Sequence, residues 1–243
     1  MSTTTPIPIY DSDWGCDHFD LPHLYNGMIY ACRVEVSDIG KLASELAKAV
    51  VDTSWMSGLD RGARRTYEST VRRTAELLKE IFESMDPSLE VAGEFGEMMV
   101  SMGSARALDI VFRHSRVPLA ELWKPQVKQN GGFDFHTVCQ GDLIHFGEAK
   151  FASSGNPWGL AISQIDEFLT DEKHLRDRSD LVNLVSAAAI GRLDDDEFGV
   201  VAAFSLNAVR KDVVLANAIE SAIALATKHN IQQIFVVGVS HGS

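Results

Sequence analysis

The chain alternates between short apolar runs and longer amphipathic ones, and the period of each predicts its structure. MIYACRVEV (28–36) alternates apolar and polar positions and is rich in β-formers, so it is expected to be a strand. SDIGKLASELAKAVVDTSW (37–55) has helical spacing, with Ser37 or Asp38 as its cap. A stronger helix is expected over residues 58–86. There Tyr67, Val71, Thr74, Leu78 and Ile81 share one face, while Arg61, Arg65, Glu68, Arg72, Glu76 and Lys79 share the other. Residues 88–110 read as helix from about Gly93, apolar on most sides and therefore buried. Pro118, Pro125, Gly131 and Gly132 then break the pattern, and 111–132 is expected to hold a short strand with loops. FDFHTVCQGDLIHFGEAKF (133–151) predicts two strands joined by a tight turn at Gln140–Gly141. Two helical pieces are expected over 157–191, a buried strand over 198–206, a helix over 212–230 and a last buried strand over 231–240. Residues 1–26, with Pro6, Pro8, Pro22 and many Asp, read as irregular.

Strands with helices between them imply an α/β fold with a mixed sheet covered on both faces. Residues 1–90 are expected to form an α-rich extension packed on a core of residues 91–243.

Two charges interrupt the apolar strand DLIHFGEAKF (142–151). Glu148 and Lys150 are two positions apart, so they share a face, along with Phe146. On the preceding strand Asp134 and His136 share a face opposite Phe133 and Phe135. If the turn pairs these strands in the right register, Asp134 approaches Glu148 and Lys150; a slip of one residue would separate them. Two carboxylates beside one lysine suit oxygen coordination of Mg²⁺, with Mn²⁺ as an alternative, and the ion would activate water against a phosphodiester. Lysine would orient that water or stabilise the charged transition state. The plain alternative is an exposed ion pair worth at most about 1 kcal/mol.

Composition narrows the setting. Hydrophobic residues make up 45% and charged residues 23%, which is ordinary globular usage. No run is long enough for a membrane helix, and the N-terminus lacks the basic and apolar regions of a secretory signal. The three cysteines, Cys16, Cys32 and Cys139, are few and scattered, so a reducing, cytoplasmic setting is expected. A net charge of −12 argues against non-specific coating of nucleic acid, though not against contact at one place or recruitment by a partner.

Asp134 followed by GEAK (147–150) resembles the signature of the PD-(D/E)xK, or restriction-endonuclease-like, nucleases, with Glu148-Ala149-Lys150 as the (D/E)xK element. The expected element order over about 93–206 is similar to the core of that fold. Phe133 stands where the signature often has proline. The resemblance implies a glutamate on the preceding helix, for which GEFGEMMV offers Glu94 and Glu97, with Glu97 preferred as a third metal ligand. It also implies a glutamine on the following helix, here Gln164, that orients the lysine or the substrate. GEFGEMMV, FDFH and GEAKF together resemble, more narrowly, the HamA family, nuclease subunits of Hachiman anti-phage systems. That resemblance implies DNA as substrate and a HamB-like helicase subunit as partner.

Other readings carry less. His136, Cys139 and His145 fit no standard zinc spacing and lack a fourth ligand. The arginines of 61–73 suit phosphate contact, but Glu68–Arg72 and Arg72–Glu76 are i,i+4 pairs that also suit a solvated face. From other functional classes come a catalytically silent nuclease-fold binding or regulatory subunit and a two-carboxylate glycosidase, which would not need Lys150.

Overall fold

The computed structural model describes residues 6–86, 91, 93–124 and 132–242; the expected loop residues Pro125 and Gly131 lie outside the described residues. Eight strands form one mixed sheet in the order β1-β2-β3-β8-β7-β6-β5-β4. β1 (Pro8–Asp11), β2 (Cys16–Asp20) and β3 (Ile29–Val36) form an antiparallel meander. β3 then runs parallel to β8 (Gln233–His241), β8 to β7 (Gly199–Ser205) and β7 to β6 (Ile144–Lys150). β5 (Phe135–Val138) and β4 (Ser115–Arg116) complete the far edge in antiparallel register.

The central strands β7 and β8 are buried almost throughout, as expected of parallel strands covered on both faces. On one side α3 (Gly93–Phe112) packs across the sheet, and Phe95, Met98, Met99, Val100, Ala107 and Leu108 are buried on it. The other side carries α5 (Pro157–Thr170) and α8 (Lys211–His229), with α6 (Lys173–Leu181) and α7 (Ala187–Asp194) between α5 and β7 in the chain. α1 (Ile39–Val51) and α2 (Arg61–Glu83) pair with each other and lie against α3. Asp38 caps α1 by accepting from the Lys41 N–H at 2.9 Å. α2 buries Tyr67, Val71, Thr74 and Leu78 and exposes its charged face, as its periodicity requires. No helix among the described residues is long and apolar enough to cross a membrane.

The structure departs from the sequence expectation at three places. Residues 8–20, expected to be irregular, form β1 and β2; prolines and aspartates are tolerated because β1 is an edge strand and Asp11 is paired. The first 90 residues are therefore not only an α-rich extension, because three of the sheet's strands lie in them. The helical stretch after β6 breaks into three pieces, with Glu172 in the left-handed region between α5 and α6 and a Ser186 cap opening α7. Between β4 and β5 a short helical turn, α4 (Ala120–Trp123), also forms.

Candidate functional site

Both strands of the expected hairpin are present, and the register is Phe135↔Gly147, His136↔Phe146, Thr137↔His145 and Val138↔Ile144. The turn closes where the Asp142 N–H donates to the Cys139 carbonyl at 3.0 Å, leaving Gln140 and Gly141 as its central residues. This register puts Glu148 one step beyond the last paired residue of β6. β6 continues alongside β7 alone, as far as Lys150↔Phe204.

Asp134 sits where β5 would have continued. Its N–H donates to the Gly147 carbonyl at 2.9 Å, although Gly147 already faces Phe135, so two residues oppose one in the manner of a β-bulge. Strict alternation fails here. Phe133 was expected on the face opposite His136, yet both rings pack against Phe146, at 5.2 Å. The bulge frees the Asp134 carboxylate, whose Oδ2 accepts the Ala149 N–H at 2.8 Å, so a side chain takes over the ladder position. The Phe133 carbonyl accepts instead from Lys124 Nζ at 2.9 Å. Gly147 is required beside the bulge, because a Cβ there would lie 2.4 Å from the Phe135 ring.

The carboxylate of Glu148 is fully buried, and its Oε1 accepts from Lys150 Nζ at 2.6 Å. Its Oε2 has no hydrogen-bond partner among the described residues. A second buried oxygen without a partner among the described residues is Oε2 of Glu121, on α4. Burial pushes the Glu121 carboxyl up to about 8, reinforced by the charge of Asp134. Burial also raises Asp134, to about 6, against the pull of the Ala149 N–H and Lys150. Glu148 rises well above the ordinary carboxylate range, through burial and then Asp134. Burial would lower Lys150, but Glu148 and the other acids override it and hold the ammonium protonated. The exposed Glu97 on α3 contributes negative charge to all four of these groups. Glu94 is exposed in the first turn of α3.

Asp134, Glu148, Lys150 and Glu97 are thus brought together. Gln164 is half-buried on α5, which packs on β6 and β7, and its side chain makes no hydrogen bond among the described residues. Glu121 was not anticipated from sequence. Its signal was there in LAELW (119–123), a carboxylate inside an apolar run, the same anomaly that marks Glu148. Next to the cluster lies a different arrangement, in which Asp177 Oδ2 accepts from Lys124 Nζ at 2.7 Å and lies 3.0 Å from His136 Nε2. His145 is on the opposite face of the sheet from His136. It lies 3.2 Å from Gln233 Oε1 and packs on His114, so the two do not converge on a zinc ion.

The donor set suits a hard cation: several carboxylate oxygens, two of them buried and unpartnered, and no thiolate. Among the described residues no group of three or more His, Cys, Asp or Glu side chains is placed to hold a metal ion. Mg²⁺ does not need such a group, since one or two carboxylates with water and substrate phosphate usually suffice. The compared proteins add no relative: no family model, no curated protein and no solved structure matches this chain.

Proposed function

We propose that the chain is a metal-dependent deoxyribonuclease of the restriction-endonuclease-like type. The observation that supports it is the excess of negative charge at the bulge. Asp134, Glu148 and Glu121 are all pushed up by burial, the two glutamates further by the charge of Asp134 and all three by Glu97, and Lys150 is the cation bound to one of them. Such a cluster is stable as carboxylates only with added positive charge, and strongly perturbed acids in a group mark functional sites more often than structural ones.

In this reading Asp134 and Glu148 hold Mg²⁺ or Mn²⁺, and Glu97 completes or supports the site. When bound there, such an ion would supply Lewis acidity, making a water more acidic and offsetting charge on the scissile phosphate. Asp134 is fixed for this by the Ala149 N–H, which leaves Oδ1 for a ligand. Lys150 stays charged, so it donates a hydrogen bond to the attacking water or to the phosphate oxygens and does not take a proton. Gln164 orients Lys150 or the substrate. The resemblance of GEFGEMMV, FDFH and GEAKF extends the proposal to anti-phage defence, with a helicase subunit delivering DNA to an acidic nuclease.

The test is cleavage of plasmid DNA in Mg²⁺, with and without a candidate helicase subunit. Wild type should cut. Glu148→Ala and Lys150→Ala should each lose at least about 100-fold, in the range that removal of one transition-state contact costs. EDTA should abolish cutting. If wild type and both variants leave the DNA intact in every condition, the protein is a silent binding subunit and the nuclease reading fails.

A further inference from the structure

A second site lies on the α3 side of the sheet. A cleft of about 560 Å³ opens between α1, α3 and the β4–α4 segment, within the size range of small-molecule sites. Its walls include Trp14, Trp55, Asp52, Arg113 and Arg116. Three features suggest that it is built for a ligand.

The first is Arg113. It ends α3 in the left-handed region, at φ 58°, where glycine is the usual residue. The Arg113 N–H donates to Asp109 O and the His114 N–H to Leu108 O, so the helix terminus itself needs no arginine side chain. Any side chain here is strained relative to glycine. The exposed guanidinium has no ion pair among the described residues. A cation is thus kept at the cleft, at some cost, with no protein partner.

The second feature is Arg116, which is held in place before any ligand arrives. Its guanidinium lies 5.7 Å from the Trp14 ring centroid, and its Nε is 3.2 Å from Asp109 Oδ2. The third is Trp55. It packs edge-on to Tyr67 at 5.7 Å and remains partly exposed. Its exposed part lines the cleft and offers apolar ring surface there. Asp52 adds a carboxylate that stays ionised because the Ser54 N–H donates to it.

We infer that this cleft binds a free nucleotide, with its phosphates on Arg113 and Arg116 and its base against Trp55. Paired guanidinium groups are the usual partners of phosphate, indole of a flat base, and a carboxylate of ribose hydroxyls or base amines. This goes beyond the nuclease reading and does not depend on it, because the carboxylate cluster and the cleft share none of these residues.

Titration of the full-length protein with AMP, ATP, GTP and inorganic phosphate, followed by tryptophan fluorescence and calorimetry, tests the assignment. At least one nucleotide should bind and should change the fluorescence. Arg113→Gly suits the left-handed backbone, so it should fold at least as well as wild type while weakening binding about tenfold, the effect of one charge-assisted contact. Trp55→Leu, which removes the flat ring from the cleft wall, should weaken it several-fold. No binding of any nucleotide at millimolar concentration overturns the inference. So does a folded Arg113→Gly protein that binds like wild type. Equal affinity for phosphate and nucleotides would also overturn it, since the tryptophan would then play no part. Binding only to an oligonucleotide would overturn it in favour of a strand-end site.

Discussion

Asp177 and Asp134 are two carboxylates at the same end of β5, and Lys124 lies close to both, yet their surroundings act in opposite directions. Burial would raise Asp177, but His136 and Lys124 override it and its carboxyl falls below the ordinary value. Burial raises Asp134 to about 6, and the Ala149 N–H and Lys150 do not compensate, with Glu97 adding to the rise. The first is a completed ion network that ties α6 to the start of β5. The second is a network whose negative charge is left uncompensated. A buried acid therefore marks a candidate site only when its charge is left uncompensated.

The comparison can be broken most sharply by removing one acid from each network. Asp177→Ala strips Lys124 and His136 of their carboxylate and should cost about 3 kcal/mol or more, as losing one partner of a buried pair does. Glu148→Gln removes a charge that burial already disfavours, and it should change unfolding free energy by less than about 1 kcal/mol while abolishing Mg²⁺-dependent cutting. Urea unfolding of both variants decides it. Equal destabilisation would erase the distinction between the two networks.

Acidity separates the networks next. Asp134 and Glu121 have raised folded values, so their stabilisation is complete below their ordinary values near 4 and is lost as pH rises through about 6 and about 8. Asp177 has a lowered value, so its stabilisation is present above about 4 and is lost as pH falls below that. In EDTA the melting temperature should fall between pH 5 and pH 8. Millimolar Mg²⁺ should restore it at pH 8 and do little at pH 5; ion at a hundred times its dissociation constant would add about 2.7 kcal/mol. A melting temperature unaffected by Mg²⁺ at pH 8 would contradict the uncompensated-charge account.

Smaller effects sharpen the limits of the cluster. Glu97→Gln should slow cutting about tenfold and Glu94→Gln hardly at all, because the charge of Glu97 is felt by Asp134, Glu148, Glu121 and Lys150. Gln164→Ala should slow cutting several-fold, less than Lys150→Ala, since Gln164 holds no hydrogen bond among the described residues. Single-turnover rates on one oligonucleotide substrate would rank all three.

The sequence made legible what depends on near neighbours. Glu148 and Lys150 stand out because two charges on one face of an apolar strand violate its pattern, and the Gln140–Gly141 turn follows from local chemistry. The periodicity of α2 told its buried face from its charged one. The bulge at Asp134 was not legible, because it depends on a carboxylate replacing a carbonyl in the ladder and on Lys124 taking that carbonyl. Glu121 was hidden for a similar reason: α4 is a single turn, and only tertiary packing brings its acid to Asp134. β1 and β2 were missed because an edge meander tolerates the prolines and aspartates that otherwise signal loops.

The order of the sheet has a consequence for how the protein is made. β8 lies between β3 and β7, so of this sheet's eight strands the last to be made is the one that joins the N-terminal meander to β7 and the β6 strand bearing Glu148 and Lys150. Until residues 233–241 emerge, β3 and β7 each present an open parallel edge, and the β3–β8 pairs span about two hundred residues of chain where the β7–β8 pairs span about thirty-four. Synthesis is therefore expected to hold two half-sheets apart and close them in a late step, with the nascent chain exposed to mispairing at those edges until then.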